Sequence, residues 1–264
     1  MPTTRSAGHR GRLPVKPPAE RLPIQYLSSY LRTPLPAPVY PIDVSGGISD
    51  WGMLGNGPDP TCASHPQGVR DCAFAGRQHY RMAKAAAGHE TESWPTSDVV
   101  VAEYLAYNQG RDTGANIADL LMSWYRAGTI LAFAPVDHTN RAEVDAAMAA
   151  FHGAYAGVDL TGDADSLFAH HQPWSTETGQ QPDRADGHCI LKVAADGSAF
   201  DTWVTWGAGQ RSTLTWTAAC LRETWVIITQ EDADAANLDI AALRAEIGAL
   251  HGTGGNTPAT GQLP

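Results

Sequence analysis

The segment from Asp71 to Gly88 limits the possible folds more than any other. Asp71 is suited to cap a helix N-terminus, because its carboxylate can accept a bond from a first-turn amide. Gly88 is suited to stop the helix about four and a half turns later. Between them Cys72, Ala75, Gly76, His79, Ala83 and Ala86 share one face, and most are small. A small face admits other elements at close range, so the spacing predicts a buried helix rather than a surface one. Cys72 falls in its first turn, where outward amides and the helix dipole favour a thiolate. A lone cysteine is more often plain core, so Cys72 needs a partner elsewhere to count as a nucleophile.

The rest of the chain changes period halfway. Three helical patterns follow the first: one from Ser97 or Asp98 through Leu105, one from Asn116 to before Gly128, and one over Arg141 to Phe151. Ala154–Leu160, Cys189–Ala195, Phe200–Trp206 and Thr224–Thr229 then read as strands, with Asp196-Gly197 a hairpin turn between the second and third. Helices first and strands afterwards predict an α+β architecture with an antiparallel sheet in the second half. Residues 161–187 read as one long polar loop, of a length often tied to function. A last amphipathic helix is expected over Asp239–Leu250, and a disordered tail over 252–264.

Charge divides the chain again. Residues 1–32 hold six basic side chains against one acid, Glu20, so the remaining 232 residues carry −15 of the net −10. Nine of the eighteen prolines lie in residues 1–50, which favours extended backbone with little core of its own. Apolar residues from Leu13 to Leu31 nevertheless recur there. We therefore expect an arm, residues 1–41, lying along its own acidic body or along an acidic neighbour. The body is expected over residues 42–230, and a helical extension over 231–251. No run of about 18 apolar residues and no secretory leader are present, which predicts neither a membrane span nor export. Four irregularly spaced cysteines predict free thiols.

The partner for Cys72 is found in Asp186-Gly187-His188-Cys189, where a histidine opens an apolar strand. A thiol with an aligned imidazole is the minimum for nucleophilic catalysis. The whole set is a Gln67-Gly68 loop, Cys72-Ala73-Phe74-Ala75 opening a helix, Gly187-His188 before a strand, and Thr205-Trp206-Gly207 closing another. It resembles the papain-like cysteine peptidases over roughly residues 45–230. The resemblance implies a papain-like fold, Cys72 as nucleophile on a central helix, His188 as base and Gln67 as the oxyanion group. There are three departures. Ala73 stands where the family has Trp, Gln67 lies five rather than six residues before the cysteine, and Val204 falls where the family's orienting asparagine belongs. Asp201 and Thr205 are then the local candidates to orient His188. The leader Gly11–Lys16 and the Trp51–Asn56 segment are also similar to proteins encoded by phages of actinobacteria, which implies a virion or host-cytoplasm location.

Other signals are weaker. Cys62, His65, Cys72 and His79 fit no standard zinc spacing, nor does His170-His171, so no metal is expected. His79 and Cys189 are expected in the core. No phosphate-binding glycine loop appears, so no cofactor is expected, and the acidic body argues against nucleic acid. Two functions follow: a thiol hydrolase cutting a protein or peptide substrate, or a structural virion protein attached through its arm to an acidic subunit.

Overall fold

The computed structural model describes residues 7–17, 22–88 and 94–251; the expected tail at 252–264 lies outside them. The helix predicted from the small-residue face is α1, Cys72–Ala86, and Gly88 follows it at φ +82°. Asp71 departs from its expected role. Its carbonyl accepts from Phe74 and Ala75, but its carboxylate makes no cap. Burial instead pushes that carboxyl well above the usual carboxylate range.

Helices α2 (Ser97–Tyr107), α3 (Ile117–Arg126) and α4 (Arg141–Phe151) complete the helical first half. Asn116 caps α3 as expected, accepting from the Asp119 amide. Thr96, rather than Ser97 or Asp98, is the N-cap residue of α2. Asp98 turns instead to the 63–64 loop, where it accepts from the amides of Ala63 and Ser64.

The strands are β1 (Ile42–Asp43), β2 (Ala132–Val136), β3 (Ala154–Thr161), β4 (Pro182–Ala195), β5 (Phe200–Thr205), β6 (Ala208–Thr213) and β7 (Leu221–Ile228). Among the described residues they form one antiparallel sheet in the order β2-β7-β3-β4-β5-β6, with β1 added on β4. Six short elements are additions to the sequence reading: β1, β2, β6, α5 (Ala164–Ala169), α6 (Leu214–Cys220) and α7 (Gln230–Ala235). Strand β4 also reaches back to Pro182, so the long loop is partly sheet. The final helix, α8, spans Ile240–His251.

Alternation along β4 and β5 splits the core. Cys189, Leu191, Val193 and Val204 join one cluster with Phe74 and the residues of α1. Ile190 and Trp203 join a second, with Phe168, Trp174, Trp206 and Trp216. His79 and Cys189 are buried as expected, His79 bonding the Gly52 carbonyl at 3.0 Å. No helix among the described residues is long and apolar enough to cross a membrane.

The described residues of the arm, 7–17 and 22–41, lie along their own body. Arg12 bridges Ala115, Leu31 bridges Leu238, and Ile42 pairs with Ala195 at the end of β4. Its charges find opposite charges on the same chain. Arg10 meets Asp165 at 2.8 Å and Asp186 at 3.0 Å, and Lys16 meets Asp119 at 2.7 Å.

Candidate active site

Cys72 opens α1, and the first turn is held in place from the sheet by Tyr155, whose hydroxyl donates to the Ala73 carbonyl. Gly76 one turn on is a close-approach residue: a Cβ there would stand 3.1 Å from the Tyr155 ring and 3.4 Å from Cys189 Sγ. The small face therefore seats α1 on β3 and β4, which brings Cys72 beside the strand that carries His188.

His188 lies on β4 opposite Val158. Its Nε2 meets Thr205 Oγ1 at 2.7 Å. The β4–β5 register, with Leu191 opposite Val204, puts Val204 in the α1-side cluster and Thr205 toward the histidine. Thr205, one residue beyond the position suggested by the family spacing, is the group that bonds the imidazole. Asp201, the other sequence candidate, is corrected. It sits at the far end of β5 opposite Ala195, ion-paired with Lys192 at 2.9 Å and accepting from the Thr217 hydroxyl at 2.8 Å.

Trp206 completes this wall. Trp206-Gly207 is a two-residue hairpin loop between β5 and β6, with φ +45° and +76°. Positive φ strains a bulky residue such as tryptophan. Here it lays the indole near the His188 ring, with centroids 4.9 Å apart at 31°. In the tautomer in which Nε2 donates to Thr205, Nδ1 keeps its lone pair; that nitrogen is buried and has no hydrogen-bond partner.

Cys72 and His188 are each 1 % exposed, and both are neutral in this state. Burial pushes the Cys72 thiol up to about 12, although the Cys189 and Gly11 amides lie against the sulfur. Burial, followed by the nearby Arg10 and Arg12 charges, drops His188 to about 3. The thiolate expected from the helix start alone is therefore not what this enclosed site holds: desolvation outweighs the dipole. No hydrogen bond joins Cys72 to His188. Gln67 is exposed, its side chain makes no hydrogen bond, and its carbonyl accepts from His9 Nε2 at 2.8 Å. It is not placed here as an oxyanion donor.

The enclosure is the arm, which sequence reasoning treated as an attachment device. Residues 9–13 run through the groove as an added strand would. The His9 amide donates to Asn56, that of Arg12 to Gly187, that of Leu13 to Ala115, and Ala115 donates back to Gly11, all at 2.7–3.0 Å. Gly11 has no room for a side chain: a Cβ there would sit 1.9 Å from the Arg70 carbonyl oxygen.

Among the described residues no group of three or more His, Cys, Asp or Glu side chains is placed to hold a metal ion. Cys62 lies against Ser64 and Asp98, and all four cysteines are free thiols.

No family model matches the chain, and no curated protein sequence does. Among solved structures, xylellain, a cysteine protease from Xylella fastidiosa, is similar in fold. It superposes with a TM-score of 0.57 over 87% of this chain and 98% of its own, at 11% identity. The α+β architecture, helical in its first half with the sheet in its second, is thus a papain-like fold.

Proposed function

We propose that the chain is a thiol hydrolase that cleaves a peptide or amide bond with Cys72 as nucleophile and His188 as base. The observation that carries this reading is the His188 ring itself, bonded to Thr205 through Nε2, flanked by Trp206, and left with an unpartnered Nδ1. A buried polar atom without a partner costs stability, so it is retained where it has work to do. In the proposed reaction Nδ1 takes the Cys72 proton as the sulfur adds to the substrate carbonyl. The imidazolium then gives that proton to the leaving amine, and an acyl thioester remains. Water, deprotonated by the same Nδ1, attacks the thioester and releases the acid and the thiol. Thr205 holds the ring in the tautomer this sequence needs.

The groove is occupied by residues 9–13, so in this reading the enclosed state is latent. Displacing the arm admits water around both groups, which lowers the thiol and raises the imidazole toward their ordinary values. Peptide hydrolysis should therefore appear when the arm is loosened and vanish with Cys72→Ala. Persistence of hydrolysis in Cys72→Ala would overturn the assignment.

The second reading, a virion protein attached through its arm, draws on the arm's similarity to phage-encoded leaders and on its positive charge. It is less favoured, because Arg10, Arg12 and Lys16 are all engaged by acids of their own chain.

A further inference from the structure

Arg12 is the most completely bound side chain of the arm. It is 4 % exposed although it belongs to a proline-rich segment. Its guanidinium inserts between β3 and β7 and has a use for every N–H. Nε donates to the Val158 carbonyl at 3.3 Å, and one terminal nitrogen to the same carbonyl at 3.1 Å and to Asp159. The other donates to the Leu13 carbonyl at 3.2 Å and to Glu223 at 3.4 Å. The two acids are themselves fixed from behind, Asp159 by Arg222 at 2.7 Å and Glu223 by the Trp225 indole at 2.9 Å. Gly157 forms the floor, where a Cβ would stand 2.6 Å from Arg12 Cδ. This is a fitted guanidinium socket on rigid strands. It adjoins the proposed active site: the Arg12 amide bonds Gly187, the residue before His188, and the preceding Gly11 amide lies on Cys72 Sγ.

We infer that the Asp159–Glu223 socket is a specificity subsite, and that the substrates of the proposed hydrolase are polypeptides with an arginine that enters it. Residues 9–13 then hold the groove as an intramolecular stand-in for such a peptide. This inference rests on the hydrolase reading for its substrate but not for its ligand. When Arg12 leaves, two nearly buried carboxylates lose its guanidinium, and the socket requires a replacement charge. Lysine offers one point charge in place of a planar fork and cannot reproduce the five contacts. The requirement for a glycine-sized residue before the arginine follows from the Arg70 carbonyl, which leaves no space for a side chain on residue 11.

The test uses full-length chains in which the groove is opened in two independent ways. Arg12→Ala empties the socket, and Gly11→Ala drives the arm off the Arg70 carbonyl with the socket untouched. Each is titrated with a fluorescent, end-blocked heptapeptide of residues 8–14, Gly-His-Arg-Gly-Arg-Leu-Pro, and with analogues carrying Ala or Lys at the Arg12 position. The arginine peptide is expected to bind at least roughly tenfold more tightly than either analogue, and to lose that preference when Asp159→Asn is added. The unaltered chain should give the same ranking at lower affinity, because its arm competes. Equal binding of the three peptides, or no binding to any of these chains, overturns the inference. Mapping of cleavage sites separates the two claims. Cys72-dependent cutting without arginine enrichment refutes the socket and leaves the hydrolase. Arginine-selective binding with no cutting of any peptide refutes the hydrolase and leaves the socket.

Discussion

The two halves of strand β4 handle buried polarity in opposite ways. At Lys192 a buried ammonium meets two buried carboxylates, Asp145 and Asp201, which Arg141 also approaches at 3.5 and 3.6 Å. At His188, four residues earlier on the same strand, a buried imidazole has one hydroxyl partner and one nitrogen with none. Both side chains are about equally enclosed. This network sets two cations against two carboxylates, so the Lys192 end holds β4 to α4 and β5. The His188 end carries no opposite charge, and it adjoins the arm, whose Arg12 amide bonds the neighbouring Gly187 carbonyl. Charge compensation, rather than burial, separates the two ends of the strand.

The largest test of this contrast breaks the structural end. Lys192→Met leaves the buried Asp145 and Asp201 with Arg141 as their remaining ion-pair partner, and should cost about 3–5 kcal/mol. Chemical denaturation would read it, and a loss under 1 kcal/mol would show that the network is not what fixes the strand. Next in size is the response to acid. His188 titrates ordinarily at 6.5 and in the fold at about 3. Above pH 6.5 both states are neutral; below it the unfolded chain takes up a proton that the folded chain refuses. Stability from this residue is therefore lost as pH falls from 6.5 toward 3, by about 3 kcal/mol at pH 4. His188→Gln should remove that part of the acid limb, seen as a wild-type-minus-variant difference that opens only below pH 6.5. Lys192→Met should leave it in place.

A smaller effect sharpens the role of Thr205. Thr205→Val should lower kcat of an arm-loosened enzyme roughly a hundredfold with little change in KM, about 2.7 kcal/mol of barrier, and Thr205→Ser should restore it. Equal rates for Val and Ser would remove Thr205 as the orienting group. Smallest is Val204→Asn. Family spacing makes this the restoring change, but Val204 points into the α1-side core. The variant should gain no activity and lose about 2 kcal/mol of stability to an unpaired amide; a gain in rate would mean that the side chain reaches His188 after all.

Much of this was legible in the residues. The small face of α1, the Asn116 cap, the Gly88 stop and the alternation in β3 to β5 are local patterns, and local physics realised them. The short elements β2, β6 and α5 to α7 carry too few residues to show a period, and tertiary pairing makes them. Cys72 and His188 could be named because each opens a regular element. The choice between Asp201 and Thr205 could not be made, because strand register decides it and no residue type announces a register. Arg12 was one basic residue among six in the arm. Its signal lay elsewhere, in Asp159 and Glu223, acids set within otherwise apolar strands, which only the β3–β7 pairing brings together. The reactivity of Cys72 was misjudged for a similar reason: a helix dipole is visible in sequence, but the segment that covers the thiol comes from sixty residues away.

That covering segment also sets an order of assembly. The Arg12 socket needs Glu223, 211 residues downstream, and the Gly187 contact needs most of the sheet. Residues 9–13 are made before β7 and have nowhere to dock until it has followed. Closing so long a loop is among the slowest contacts a chain can form. The segment must therefore wait, extended and kept from collapse by its prolines and like charges, while the body folds behind it. An early-made segment is thus the last to settle, and the groove is covered only on a chain whose sheet is already complete.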